Sequence, residues 1–213
     1  MSKRCFIFGA GDETDIPIRP TGADIVIAAD GGLSFASKAG ISPNVFIGDL
    51  DSLEKAPETD EKIILPTEKD DTDTMYAVKF AISRGADELY LYGCGGKRLD
   101  HTLANISAAA HIANSGKKVF LFGKDHTLTV IKNTTARFGA DFHGVISVFP
   151  WGKEAEGVTQ KGFKYQTEDI TYLPNIPLGV SNEFIGKESF VTVKDGTLVI
   201  IWNESREKLP EIE

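Results

Sequence analysis

Four short runs hold the residues that could do chemistry. "IGDLDS" places Asp49 and Asp51 two apart at the end of an apolar run, so in extended chain both side chains face one way. "PTEKDDTDT" gathers Lys69, Asp70, Asp71 and Asp73 just ahead of a helical pattern. "AADGG" sets Asp30 before Gly31 and Gly32, and "LYGCGGKRLDH" supplies Gly93, Gly95 and Gly96, then Lys97, Arg98 and Asp100. Side-by-side carboxylates repel unless a cation, a proton or water intervenes. Gathered from separate loops, they are hard oxygen ligands suited to Mg2+. A glycine pair followed by Lys97 and Arg98 before a helix suits an anion held by backbone N–H groups and a guanidinium. Acids, a metal and a phosphate cradle together point to phosphoryl chemistry.

Each run also has an ordinary explanation. Asp30-Gly31-Gly32 can be a simple turn, and Asp49 with Asp51 a solvated one. Asp71 or Asp73 can cap a helix, and so can Asp100. The glycine run is neither a Walker A loop nor the dinucleotide fingerprint. The four histidines are scattered and show no zinc spacing. No Ser/His/Asp or Cys/His arrangement is evident, and Cys94 suits a small residue filling a tight turn better than a nucleophile. It is the conjunction of the four runs that argues for a site.

The elements that must position these runs alternate strand and helix patterns over the first ~125 residues, as expected of a parallel α/β layer. "CFIFGAG", "DIVIAADGG", "VFIGD", "KIILP", "ELYLYG" and "KVFLFG" read as buried strands. Helices are expected in "SFASKAG", closed by Gly40; in "DTMYAVKFAISRG", with Met75, Val78 and Ile82 inward and Ala77 and Ala81 widening the stripe; and in "DHTLANISAAAHIANSG", with Leu103, Ile106 and Ala110 inward. Ligands bind at the carboxyl ends of strands in such sheets, which is where the four polar runs fall. Past Asp125 the pattern changes to short β-rich runs, the mark of an antiparallel sandwich or barrel. There Asp195-Gly196 reads as the tight turn of a hairpin between "FVTV" and "TLVIIW". The expected architecture is a parallel α/β domain over 1–125, followed by a smaller all-β sandwich over 126–213.

Composition narrows the classes. A net charge of −8 disfavours duplex DNA and anionic membranes, which call for basic surface. A phosphorylated small molecule stays admissible, because a bound divalent cation can reverse the local sign. Two distant cysteines give no disulfide framework, so a reducing cytoplasm is expected. No apolar run reaches bilayer-spanning length, and no charged-then-apolar leader precedes the first strand.

In order, "ADGG … GDLDS … KDDTD … GGKRLDH … GVSN" resembles the thiamine pyrophosphokinase (thiamine diphosphokinase) family over nearly the whole chain. The resemblance implies transfer of the pyrophosphoryl group of ATP to thiamine, giving thiamine diphosphate and AMP, by a homodimer with sites between subunits. Carried onto this chain, Asp49, Asp51 and Asp73 match Mg2+-binding acids. Asp30, Gly31, Gly32, Gly95, Gly96 and Arg98 match positions around the nucleotide, and Lys69, Thr72, Asp100 and Asn105 match polar positions of the same cleft. Ser181 and Asn182 match a thiamine-contacting pair contributed by the partner subunit. Arg98, with Lys69, would stabilise the transferred group, while Asp71 or Asp100 would accept the hydroxyl proton. Trp202 fits sandwich core or dimer packing better than a stacking platform for thiamine. A metal-dependent phosphohydrolase and a non-catalytic nucleotide- or thiamine-binding regulator stay open as rival readings.

Overall fold

Runs of aliphatic and aromatic residues form five strands whose positions are almost all buried, as a parallel sheet covered on both faces requires, while the edge strand Glu61–Ile64, expected to be buried, alternates half-buried and exposed residues. The computed structural model describes residues 2–49, 59–203 and 208–213. Two compact units result: residues 1–112 with 119–124, and residues 113–118 with 125–213.

In the first unit, β1 (Arg4–Phe8), β2 (Ile25–Ala29), β3 (Val45–Gly48), β4 (Glu61–Ile64) and β5 (Glu88–Tyr92) pair in parallel, in the order β5-β1-β2-β3-β4. A sixth strand, β6 (Lys118–Phe122), lies beside β5. Cross-strand rings tie the middle together. Phe6 stacks on Tyr90 with centroids 4.6 Å apart, and Tyr92 on Phe122 at 4.5 Å. Each such pair adds about 0.5–1.5 kcal/mol beyond the area it buries. Because the strands run parallel, the loops after β1, β2, β3 and β5 all leave at one edge.

Three helices follow their strands: α1 (Gly32–Lys38), α2 (Asp73–Ser83) and α3 (Leu99–Asn114). Helix α1 begins two residues before the expected start, and Gly40 beyond its end is left-handed (φ 69°). The inward stripe of α2 is Ala77, Val78 and Ala81, with Met75 and Ile82 only half buried. Small residues let this helix approach β1, β2 and β3 closely. On α3, Ile106 and Ala110 point inward as expected, but Leu103 is 47% exposed. A run of alanines and Ile112 continues the buried face further along the helix, so the apolar stripe is displaced from Leu103.

The second unit packs two antiparallel layers. One contains β7 (Thr127–Lys132), β9 (Val145–Pro150), β12 (Gly179–Glu183) and β14 (Thr197–Trp202), in the order β12-β9-β14-β7. The other holds β8 (Thr135–Phe138), β10 (Ala155–Lys161), β11 (Thr167–Tyr172), β13 (Ser189–Thr192) and β15 (Glu211–Ile212), in the order β11-β10-β13-β8-β15. Phe138, Phe142, Phe163, Phe184 and the fully buried Trp202 form its aromatic core.

The expected hairpin at Asp195-Gly196 is corrected by this arrangement. Strand β13 pairs with β8 and β10, whereas β14 pairs with β7 and β9, so the turn carries the chain from one layer to the other. Gly196 is needed there for two reasons. Its φ is 131°, and a Cβ would sit 2.7 Å from Ala155 Cα. Its N–H donates to Asn133 Oδ1 at 2.8 Å, anchoring the crossover to the end of β7.

Candidate active site

Glycines build the floor of a cleft at the carboxyl edge of the parallel strands. The loops after β1 and β5 close on each other backbone to backbone: Gly9 N–H donates to Tyr92 O (2.8 Å), Gly11 to Gly93 O (2.6 Å) and Asp12 to Gly95 O (2.9 Å). No side chain fits between them. A Cβ on Gly11 would lie 2.5 Å from Gly95 O, and one on Gly93 2.4 Å from Gly9 O. Asn105, buried on α3, donates from Nδ2 to Cys94 O at 2.7 Å and fixes the second loop from beneath. The cleft has a volume of about 390 Å³.

Of the residues expected at the site, Asp30, Thr72, Asp73, Gly95, Gly96, Arg98 and Asn105 line this one cleft. Asp30 is held left-handed (φ 48°), a conformation Asp tolerates better than most residues, and its N–H donates to Ile47 O. Gly31 precedes α1. Gly32 lies beneath the wall, where a Cβ would meet Phe8 O at 1.9 Å. Thr72 is the N-cap of α2, its Oγ1 accepting from Met75 N–H at 3.2 Å. The hydroxyl thus takes the capping role that Asp71 or Asp73 could have filled, and leaves Asp73 in the first turn facing the cleft. Asp100 likewise lies within the first turn of α3, after Leu99, and is not its cap.

The acids are not bare. Lys69 Nζ lies 3.0 Å from Asp73 Oδ1 and 3.5 Å from Asp49 Oδ2, with the lysine side chain only 9% exposed. Burial alone would lower its pKa, but the Asp73 and Asp49 carboxylates outweigh that and raise it, so the ammonium stays charged. Asp73 Oδ1 is covered from solvent and has the Lys69 ammonium as its near neighbour, so this hard oxygen already faces a cation. Among the described residues no three acidic, histidine or cysteine side chains converge as a ready metal cage. Asp51, the third expected metal-binding acid, lies outside the described residues.

The cations and candidate bases sort themselves by their partners. Exposed Arg98 forks onto Asp100, Nε to Oδ1 at 3.2 Å and an Nη to Oδ2 at 2.6 Å. The guanidinium's hydrogen bonds hold the Asp100 carboxyl down to about 2. Asp71 is ion-paired with Lys79 on the exposed side of α2. The Cys94 thiol is buried and pushed up to about 12 by that burial, so it is no nucleophile.

Sequence reasoning passed over Ala10, Gly11, Thr74, His101 and Thr102, all of which line the cleft, as does Lys97, expected beside Arg98 at the anion site. The signal for Ala10 and Gly11 was present in the glycines closing "CFIFGAG". His101 was passed over because it was judged as a metal ligand and not as the next residue of a helix N-terminus. Ser181 and Asn182 sit on β12 of the second unit. Ser181 is exposed and left-handed (φ 59°), whereas Asn182 is buried, with its amide bonded to Tyr165 N, Tyr165 O, Glu183 N and Gln160 Oε1.

Residues 21–121 match the family model of the thiamin pyrophosphokinase catalytic domain, and residues 125–198 match that of the thiamin pyrophosphokinase vitamin B1 binding domain. Thiamine pyrophosphokinase of Bacillus subtilis is 28% identical over 182 residues, spanning 82% of this chain and 85% of its own. The crystal structure of thiamine pyrophosphokinase from Bacillus subtilis superposes with a TM-score of 0.84 at 24% identity, over 95% of this chain and 100% of that one. Thiamin pyrophosphokinase from Geobacillus thermodenitrificans gives 0.80 at 24% identity, over 97% and 100%. The Candida albicans protein still gives 0.74 at 15% identity, over 95% of this chain and 90% of that one. With its polar loops gathered at one sheet edge and matches to both domains in order, the chain belongs to the thiamin pyrophosphokinase family.

Proposed function

We propose that this chain transfers the pyrophosphoryl group of ATP to the hydroxyl of thiamine, releasing AMP and thiamine diphosphate. The observation that carries the reading is the single cleft in which Asp73, Asp30, Arg98 and a glycine-walled floor converge, in a chain of this family. Residues 1–125 would hold nucleotide and metal. Residues 126–213 would serve thiamine binding and dimerisation, with Ser181 and Asn182 acting on the cleft of a second copy. The setting is the cytoplasm, in keeping with two buried free thiols and, among the described residues, no helix long and apolar enough to cross a membrane.

Asp49 and Asp73 would hold Mg2+, with Asp51 as the third acid. The covered Oδ1 of Asp73, which already faces the Lys69 ammonium, supports the fit. When bound, the ion neutralises phosphate charge and polarises the bond to the leaving group. The chain supplies positioning. Gly95, Gly96 and the first turn of α3 present backbone to the phosphates, and the Gly9–Gly11 loop clamps that backbone in place. Asn105 and Thr72 lock the loop and the α2 N-terminus that carry the reacting groups. Arg98 can turn its fork from Asp100 onto the transferred group, a short move for an exposed side chain. While Arg98 grips it, Asp100 is held at about 2 and is a weak proton acceptor near neutrality, and a loose phosphoryl transition state asks little of a base.

The test is incubation with ATP, Mg2+ and thiamine. AMP and thiamine diphosphate in equal amounts are expected. ADP or free phosphate without the diphosphate would convert the reading to a hydrolase, and binding without turnover to a regulator.

A further inference from the structure

Lysines in most ion pairs of this chain are half exposed: Lys38, Lys79, Lys164 and Lys194 keep 64%, 50%, 45% and 69% of their side chains in solvent. Lys69 keeps 9%. Burying a lysine forfeits up to about 2 kcal/mol of rotamer freedom in addition to its hydration, so this placement demands a counterweight. The counterweight is a pair of carboxylates from separate loops, one after β3 and one opening α2, with the ammonium between them. A cation held by those same two carboxylate oxygens would compete with the ammonium for this place. Mg2+ takes its oxygens at about 2.0–2.1 Å and tolerates no ammonium within its coordination shell. Lysine and metal therefore exclude each other.

The contact can be exchanged. The ammonium lies 3.0 Å from Asp73 Oδ1 and donates to Asp49 Oδ2 across a long 3.5 Å. Charge contributes to both contacts, and charge is what an incoming divalent ion replaces. Once displaced, a buried ammonium on a flexible four-carbon stem needs an anion nearby, and the phosphates of a nucleotide are that anion.

We propose that Lys69 is the resident counter-cation of the acid pair, displaced by the metal and passed to the nucleotide's phosphates, so that metal enters with the nucleotide and not before it. The inference rests on reading Asp49 and Asp73 as metal-binding acids. It makes Lys69 a positioning residue that keeps the empty pair from repelling itself open.

Mn2+ alone, without nucleotide or thiamine, is titrated by electron paramagnetic resonance into wild type, Lys69→Met, Lys69→Gln and Lys69→Arg, each checked for folding by circular dichroism. The neutral variants should bind Mn2+ at least about ten-fold more tightly than wild type. Lys69→Arg, which keeps the competing charge, should stay close to wild type, and adding Asp73→Asn to Lys69→Met should abolish the gain. Should Lys69→Met fail to fold, Lys69→Gln, whose amide can still bond the carboxylates, decides alone. Unchanged or weaker Mn2+ binding in a folded neutral variant overturns the proposal, as does equal tightening in Lys69→Arg. Because no substrate is present, these outcomes are separate from the turnover assay, whose failure would instead remove the proposed reaction.

Discussion

Replacing Gly11 by alanine tests whether the glycine clasp is what shapes the cleft. The backbone of Gly11 is not left-handed, so alanine adds no conformational strain there, and the effect comes from contact alone. Its Cβ would lie 2.5 Å from Gly95 O and 2.6 Å from Gly93 O. Ordinary carbon–oxygen contact requires the loops to separate by on the order of 1 Å. Both obstacles are main-chain carbonyls already bonded across the clasp, to Asp12 N–H and Gly11 N–H, and neither can rotate away. Overpacking of this kind costs about 1–3 kcal/mol, and weakening two hydrogen bonds adds about 1 kcal/mol each. In a chain of this length that lowers Tm by roughly 6–20 °C. A displacement near 1 Å in the phosphate-facing loop should reduce kcat/KM for ATP about 100-fold.

Differential scanning fluorimetry and AMP release at varied ATP measure the two effects together. Gly22→Ala is the control, since nothing lies within 4 Å of the Cβ it would add and its φ is unremarkable. It should be neutral or slightly stabilising. If Gly11→Ala melts within a degree of wild type and keeps its KM for ATP, the clasp does not set the cleft and the assignment of its floor fails.

Asp49→Asn and Asp73→Asn should each lower turnover about 100- to 1,000-fold at saturating Mg2+ while circular dichroism stays unchanged; near-wild-type rates in both would remove the metal assignment. Cys94→Ala should keep turnover within about two-fold, because a thiol pushed up to about 12 is neutral at working pH, and iodoacetamide should leave the native enzyme active. Asp24 is buried and gripped by the Arg4 guanidinium at 3.0 and 2.5 Å and by Thr21 N–H and Oγ1 at 2.7 and 2.8 Å. Burial would raise its pKa, yet these donors outweigh it and lower it, so the folded value lies below the unfolded one. Its stabilisation is therefore complete above about pH 4 and lost as pH falls through the folded value. Asp24→Asn should cost about 2–4 kcal/mol at pH 7, with the gap from wild type closing below roughly pH 4 in urea melts; a pH-independent gap would refute the linkage.

The parallel strands were legible because a strand buried on both faces can only be a continuous apolar run, and each such run here ends where glycine or aspartate begins. The helices were legible in position but less so in facing. Alanine carries little periodic signal, so Met75, Ile82 and Leu103 read as inward beside the residues that packing does bury, Ala77, Val78 and Ala81 on α2 and Ile106, Ala110 and the neighbouring alanines on α3. The Asp195-Gly196 turn exposes a harder limit. Its residues specify a sharp reversal, but which strands pair is decided by partners distant in sequence: Thr135–Phe138 for one arm, and Thr127–Lys132 with Val145–Pro150 for the other. No local pattern encodes that choice.

The site divides along the same line. Residue types and their order brought Asp30, Asp73, Gly95, Gly96 and Arg98 to one cleft, because strand ends in a parallel sheet are brought to one edge whatever lies between them. They did not reveal that Lys69 would sit between Asp49 and Asp73, since a lysine four residues before an aspartate reads equally well as a solvated pair. Nor could they separate Ser181 from its neighbour. With both amide protons and the carbonyl oxygen of Asn182 already engaged at 2.6–3.2 Å, any ligand contact it makes must break an internal bond, while Ser181 stands exposed in a left-handed turn beside it. Two adjacent residues of one motif thus hold opposite positions, one keeping the strand's shape and one facing outward. The irregularity in β12 between Gly179 and Asn182, where Ser181 turns left-handed, and not the motif, determines which is which.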